Sequence, residues 1–267
     1  MARTYVITGA GSGIGKATKE LLEAQGHRVI GVDLKGADIE GDLGTKQGRV
    51  DAARSAIDAA GGSVDAVIAC AGVTLPSPVT VSVNYFGMTE FLDAMAPVLA
   101  KSAAPRAVLI SSFSSLQEND RALVEAMCLD DDEDKARAMA EKIAADMGPE
   151  GAQGIIYAST KRAISRWVRR ESIKPQWAGA GIPLNAVGPG VIRTPMTAPW
   201  LASEQGQQYL MTVVPMPLNG FAEPEVVAEL MIWLTSPVNT HVTGQTVYVD
   251  GGADVAMRGE NVWDLAE

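Results

Sequence analysis

The chain has 267 residues, 47% hydrophobic and 20% charged, enough to bury one sizeable core as a single large domain or two small ones. A formal net charge of −10 argues against nucleic acid as partner, because phosphate binding wants basic surface. No apolar run approaches the ~18 residues of a membrane span, and Met1-Ala2-Arg3-Thr4 leads straight into a strand rather than a signal peptide, so a soluble cytoplasmic protein is expected.

Thr4 to Thr8 is a β-branched and aromatic run that reads as a buried strand. It breaks into Gly9-Ala10-Gly11-Ser12-Gly13-Ile14-Gly15, and Lys16 to Gln25 follows with apolar residues at helical spacing. Glycines at a strand-to-helix turn let the backbone approach a pyrophosphate, and the helix N-terminus offers free amides to it. Three glycines alone mean little; the strand and helix around them give the motif its weight. His27 to Val32 reads as a second strand and ends at Asp33, twenty residues after Gly13. A carboxylate there is placed to accept from the hydroxyls of an adenosine ribose and to repel a 2′-phosphate, which favours NAD over NADP. The alternative is a simple turn residue, and Lys35 nearby keeps a phosphate-binding option open.

Gly48 to Ala59 has helical spacing, and Ser63 to Cys70 reads as a strand ending in Cys70-Ala71-Gly72. Strands alternating with helices imply right-handed crossovers and a parallel sheet, with ligands beyond the strands' carboxyl ends. Ser82 to Leu99 is expected to be one long helix, with Asn84 a poor helix former inside it whose plain alternative is exposure. Ala107 to Ile110 is another buried strand, closed by Ser111-Ser112-Phe113-Ser114-Ser115. With no histidine in sequence reach, a serine there suits hydrogen bonding to a substrate oxygen better than nucleophilic attack. Cys70, Cys128, His27 and His241 lack ligand spacing, so neither a disulfide nor a metal site is expected.

Tyr157-Ala158-Ser159-Thr160-Lys161 places a phenol and an ammonium one helical turn apart, on one face. A neighbouring ammonium favours the phenolate, so the expectation is a tyrosine with its pKa lowered from about 10, poised to take or return a proton. Such pairs arise often by chance, and this one gains meaning from its company.

Gly9-x-x-x-Gly13-x-Gly15, Asp33, Asn84, Ser112 and Tyr157-x-x-x-Lys161, in this order, resemble the short-chain dehydrogenase/reductase family over nearly the whole chain. Asn185 to Thr194 matches the family's proline-glycine segment, and Thr243 to Gly252 looks like its last strand and closing turn. Val81 to Gly87, the Cys70-Ala71-Gly72 turn and Ala253 to Arg258 look most similar to its hydroxysteroid dehydrogenase/carbonyl reductase and coniferyl-alcohol dehydrogenase branches. The resemblance implies a single Rossmann-type α/β domain with a doubly wound parallel sheet of about seven strands. It makes Tyr157 the general acid/base and Lys161 the group that lowers its pKa and holds the nicotinamide ribose. Ser112, rather than Ser111, would bind the substrate oxygen, and Asn84 would hold a water linking Lys161 to solvent. Gly9, Ser12, Gly13 and Ile14 would line the pyrophosphate of NAD, Asp33 the ribose, and Asp42 and Leu43 the adenine. Cys70, Ala71 and Gly72 would lie along the cofactor, with Gly190, Ile192 and Thr194 facing the nicotinamide.

Two departures from the family matter. Cys70 stands where most relatives have asparagine, and it is expected to be a small apolar residue rather than a reactive thiol. The 45 residues from Ser112 to Tyr157 exceed what most relatives need, which implies an insertion at about 117–153. The acidic run Asp130 to Glu133 and Asp134 precedes helix formers at Ala136 to Met147 and is expected to be a solvated helix cap. The insertion is expected to remodel a subunit contact, giving a homodimer rather than the family's common tetramer.

The segment at about 195–220 is expected to be a substrate lid, with Met196, Trp200 and Leu201 giving an apolar, adaptable wall. Val213 and Val214 could equally belong to the core. Glu204 is the segment's lone acid and it has no base, so an apolar alcohol or ketone fits better than a phosphorylated substrate. Pro224 to Leu234 reads as a late helix, and the tail from Met257 to Glu267, with Trp263, as lid support or subunit contact. The expected reaction is NAD-dependent interconversion of a secondary alcohol and a ketone on a steroid-like or aromatic skeleton. The rivals are a coniferyl-type primary alcohol dehydrogenase, which shares every catalytic residue, a dinucleotide sensor without turnover and a nucleotide-sugar epimerase, for which too little C-terminal substrate region remains.

Overall fold

A computed structural model describes residues 2–260, so the expectation for Trp263 and the end of the tail lies outside the described residues. Seven parallel strands form one sheet in the order β3-β2-β1-β4-β5-β6-β7. They are β1 (Thr4–Thr8), β2 (Arg28–Asp33), β3 (Ile39–Glu40), β4 (Ala66–Ala69), β5 (Arg106–Ile110), β6 (Leu184–Pro189) and β7 (Thr246–Val249). The short apolar runs read as strands are strands, and β4, β5 and β6 are buried along their whole length. Covered on both faces, they need no polar alternation.

One face carries α1 (Gly13–Ala24) against α9 (Pro224–Thr235). The other carries α2 (Lys46–Ala59), α4 (Gly87–Leu99) and α6 (Glu133–Glu171). The strand order reverses between β1 and β4, and the crevice beyond the strands' carboxyl ends at that point is where such sheets bind ligands. Among the described residues no helix is long and apolar enough to cross a membrane.

Three local readings change. The expected Ser82–Leu99 helix begins earlier, at α3 (Pro78–Val81), and passes through one π-helical stretch, Ser82–Phe86, before α4. The region from Gln117 to Gln153 is largely helical: α5 (Arg121–Cys128) buries Leu123, Val124 and Met127 and packs along α6. Gly148, at φ 72° and ψ 170°, interrupts α6, and Pro149 restarts it, an early helical position where its missing N–H costs nothing. The acidic run is only partly a solvated cap. Asp132 caps α6 through Lys135 N at 2.9 Å, whereas Glu133 forms a two-pronged pair with Arg49, at 2.6 and 2.9 Å. Arg49 is 1% exposed, meets Glu90 at 3.0 Å and also donates to Leu43 O at 2.9 Å. A buried guanidinium needs such partners, and this one ties the start of α6 to α2 and α4.

The stretch after β6 folds into α7 (Ala198–Leu201) and α8 (Glu204–Val213), with no fully buried residue in either. Val214 is buried in a small second cluster with Phe113, Val191, Met216 and Ala253 while Val213 is half-buried beside it. Past β7 the chain ends its described part in α10 (Ala253–Arg258).

Candidate active site

The glycine turn between β1 and α1 is held by close backbone approach. Gly9 adopts φ +72°, and a Cβ there would stand 2.7 Å from Ala71 N; one on Gly15 would stand 2.2 Å from Gly9 O. A side chain at Gly9 would push the turn off the end of β4, and one at Gly15 would push α1 off the turn. Gly11 N donates to Asp33 Oδ2 at 2.8 Å, and Leu34 N to Asp33 Oδ1 at 2.6 Å, so the end of β2 and the turn form one unit. Ser12 starts α1 without a side-chain capping bond, which leaves its hydroxyl and the first amides of the helix available to an anion. These residues fit a dinucleotide pyrophosphate: Gly9, Ser12, Gly13 and Ile14 line a cavity of about 740 Å³ that continues past Cys70, Gly72, Gly190, Ile192 and Thr194.

Asp33, Asp42, Leu43 and Ala71 do not line that cavity. Asp42 Oδ1 accepts from Gly44 N at 2.8 Å. Leu43 is 5% exposed in the main core, so its side chain has little surface to offer an adenine. Ala71 N donates to Thr8 Oγ1 at 3.2 Å. Cys70 contacts Met231 Sδ at 3.7 Å, and burial pushes its thiol up to about 12; it is an inert, packed residue.

At the cavity's centre α6 brings Tyr157 and Lys161 together with Ser112 from the end of β5. Ser112 opens a short 3₁₀ turn, Phe113–Leu116, its Oγ accepting from Ser114 N at 3.1 Å. Ser111 is turned inward, bonded to Ser165 Oγ at 2.9 Å and to Lys161 O at 3.2 Å. Of the two, Ser111 spends its hydroxyl inward on α6, whereas Ser112 stands beside the Tyr157 phenol.

Lys161 is 2% exposed. Its Nζ donates to Ile110 O at 3.0 Å and stands 5.5 Å from the centre of the Tyr157 ring. The expected lowering of the tyrosine pKa is not what this arrangement gives. Burial raises the Tyr157 phenol above its ordinary 10, with the Ser112 hydroxyl acting in the opposite sense, and burial lowers Lys161 to about 7. The ammonium addresses a ring face and a carbonyl, and desolvation is the largest cause of both shifts.

Asn84 is fully buried, not exposed. Its Oδ1 accepts from Val73 N at 2.8 Å, and its Nδ2 donates to Val73 O at 2.9 Å and Thr160 Oγ1 at 3.3 Å. Both amide hydrogens are spent, so the side chain braces the loop after β4 against α6 rather than offering a water two free donors. It sits in the π-helical stretch, a distortion that recurs at functional sites.

Met196, Trp200, Leu210 and Val213 line the far side of the cavity. Leu201 does not; it packs against the second apolar cluster and borders a separate shallow depression with Arg193. Gln117, Glu150 and Gln153 also line the cavity and were not anticipated. Glu150, Gln153 and Tyr157 fall at helical spacing on α6, and the Gly148-Pro149 pair marked the start of that helical run in the sequence.

A family model described as enoyl-(acyl carrier protein) reductase matches residues 9–254. The chain is 36% identical over 261 residues to the 3α-hydroxysteroid dehydrogenase/carbonyl reductase of Comamonas testosteroni, covering 95% of this chain and 97% of that one. It is 28% identical to the galactitol 2-dehydrogenase (L-tagatose-forming) of Cereibacter sphaeroides, over 93% and 94% of the two chains. The crystal structure of the 3α-hydroxysteroid dehydrogenase of Pseudomonas sp. B-0831 complexed with NADH superposes with a TM-score of 0.86 at 37% identity, covering 97% and 99%. The glycine turn, the seven-stranded sheet and these likenesses agree: the chain belongs to the short-chain dehydrogenase/reductase family.

Proposed function

We propose that the protein is an NAD-dependent oxidoreductase that interconverts a secondary alcohol and a ketone on an apolar, steroid-like or aromatic substrate. The observation that carries this reading is the convergence of Tyr157, Lys161 and Ser112 on one cavity, between a glycine turn and an apolar wall. The nicotinamide cofactor, when bound, accepts a hydride from the carbinol carbon or returns it to the carbonyl carbon. Ser112 Oγ hydrogen-bonds the substrate oxygen and fixes its distance from Tyr157. In the reducing direction Tyr157 gives its proton to that oxygen; in the oxidising direction it takes the proton of the alcohol. Asn84 keeps the loop after β4 in register with α6. Asp33 favours NAD because a 2′-phosphate beside a carboxylate is repelled, and the NADH complex of the Pseudomonas enzyme supports that preference. The segment at about 195–220 acts as the lid.

The test is an assay with NAD and NADP in parallel on a 3α-hydroxysteroid and on coniferyl alcohol. NADH should form on the steroid, with NAD preferred by at least about tenfold. Tyr157→Phe should lower kcat by about 10²–10⁴ while NADH still binds. A Tyr157→Phe variant with wild-type turnover overturns the mechanism, and turnover of coniferyl alcohol alone moves the substrate to an aromatic primary alcohol.

A further inference from the structure

The face of α6 that presents Tyr157 continues toward the cavity mouth. Glu150, Gln153, Gly154, Tyr157 and Lys161 all line the same cavity, successive turns of the helix that restarts at Pro149. At about 1.5 Å per residue, Glu150 stands roughly 10 Å from Tyr157 along the axis. A substrate held by its reacting oxygen at Tyr157 and lying along this helix therefore brings its far end to Glu150. The cavity is lined by two charged residues, Lys161 and Glu150. Lys161 is buried beside the reacting atoms, and Glu150 is exposed at the mouth with no cation lining it there. Gln153 Nε2 is committed to Thr74, at 3.0 Å to its carbonyl and 3.3 Å to its hydroxyl, so the rim is braced and Glu150 supplies its charge.

We infer that Glu150 determines specificity at the substrate's distal end, admitting neutral or cationic groups about 10 Å from the reacting carbon and disfavouring carboxylate or sulfate tails. This rests on the alcohol–ketone reading above and adds to it the charge class of the substrate. An anion at the mouth meets an exposed carboxylate with no compensating cation among the lining residues, a repulsion that salt screens. Glu150 also lies in the first turn of the restarted helix, where a negative charge favours the helix dipole. That contribution changes stability alike for every substrate, whereas the selection changes the ratio between substrates.

The experiment uses the full chain with NAD and three 3α-hydroxysteroids of one nucleus, with side chains ending in a carboxylate, a carboxamide or a primary amine. Wild type should turn over the carboxylate about fivefold to tenfold less efficiently than the carboxamide, through KM rather than kcat. The deficit should shrink as salt is raised. Glu150→Gln should close most of the gap, and Glu150→Lys should reverse the order of carboxylate and amine, with melting temperatures showing that each variant is folded. A carboxylate-to-carboxamide ratio equal in wild type, Glu150→Gln and Glu150→Lys overturns the inference and leaves the enzyme reading standing. No turnover of any of the three steroids by wild type, with NADH still bound, overturns the steroid reading and the selection with it.

Discussion

At the residue scale the tension lies in Lys161, a cation kept 2% exposed with a carbonyl as its hydrogen-bond acceptor and a ring face beside it. Its pKa falls from 10.5 to about 7, so the folded state prefers it neutral where the unfolded chain still binds the proton. Between about pH 7 and 10.5 the unfolded state therefore holds more protons, and stability rises with pH across that window. Below it both states are protonated and the burial cost is present in full. Lys161→Met, which fills similar volume without charge, should melt a few degrees higher than wild type at pH 6, without nucleotide, and lose that advantage as pH nears 10. The same variant should lose activity, a site held at the expense of stability. Equal melting temperatures at pH 6 would show that the charge costs the fold nothing. Burial likewise raises the Tyr157 phenol, which favours its protonated, acid form. The spacing of Tyr157 and Lys161 was legible because one helical turn is a local fact. The direction of the tyrosine shift was not, because it depends on how deeply packing from β5 and α6 buries both groups.

At the scale of elements, what could be read locally was read: the β-branched strands, the glycine turn, and Asp33 at the end of β2. The burial of Asn84 was hidden, since a lone amide in a helical run looks the same whether it faces water or, as here, a backbone N–H and C=O of Val73. The pairing of Arg49 with Glu133 spans 84 positions and leaves no local trace. The segment proposed as a lid shows the same limit. Its apolar side chains suggested an adaptable cover, but not that Gln117 Nε2 holds the Val213 carbonyl at 2.9 Å. That carbonyl is among the last of α8, where helix acceptors lack intrahelical partners. Gln117 thus ties the end of α8 to the segment that carries Ser112. One neutral hydrogen bond is worth about 1 kcal/mol, or roughly fivefold. Gln117→Leu should raise KM for an apolar substrate by about that factor, leave kcat equal or higher, and speed proteolysis near Gln207 to Tyr209. Unchanged KM and unchanged cleavage would show that α8 is held by packing alone.

For the whole molecule, the packing of α5 on α6 bears on which surfaces remain for another copy of the chain. α5 lies along α6 and buries Leu123, Val124 and Met127, and Glu133 at the start of α6 is engaged by Arg49. One side of α6 is thus covered by α5 of the same chain and is not free for another copy. At the other end of the sheet β7 is the edge strand and is half-buried along its length. Beyond it, Val255 in α10 is 69% exposed and Met257 52%. Edge strands left open invite pairing, and an isologous contact there closes after two copies. The expected assembly is a homodimer joined at the β7 edge, with light scattering giving twice the 28.0 kDa chain mass at micromolar protein. Replacing Val255 and Met257 together by aspartate should give the monomer mass, while deleting the carboxylate of Glu133 should lower stability without changing the mass. A tetramer at that concentration, or a dimer indifferent to the aspartate pair, would place the contact on the helical face beside α5.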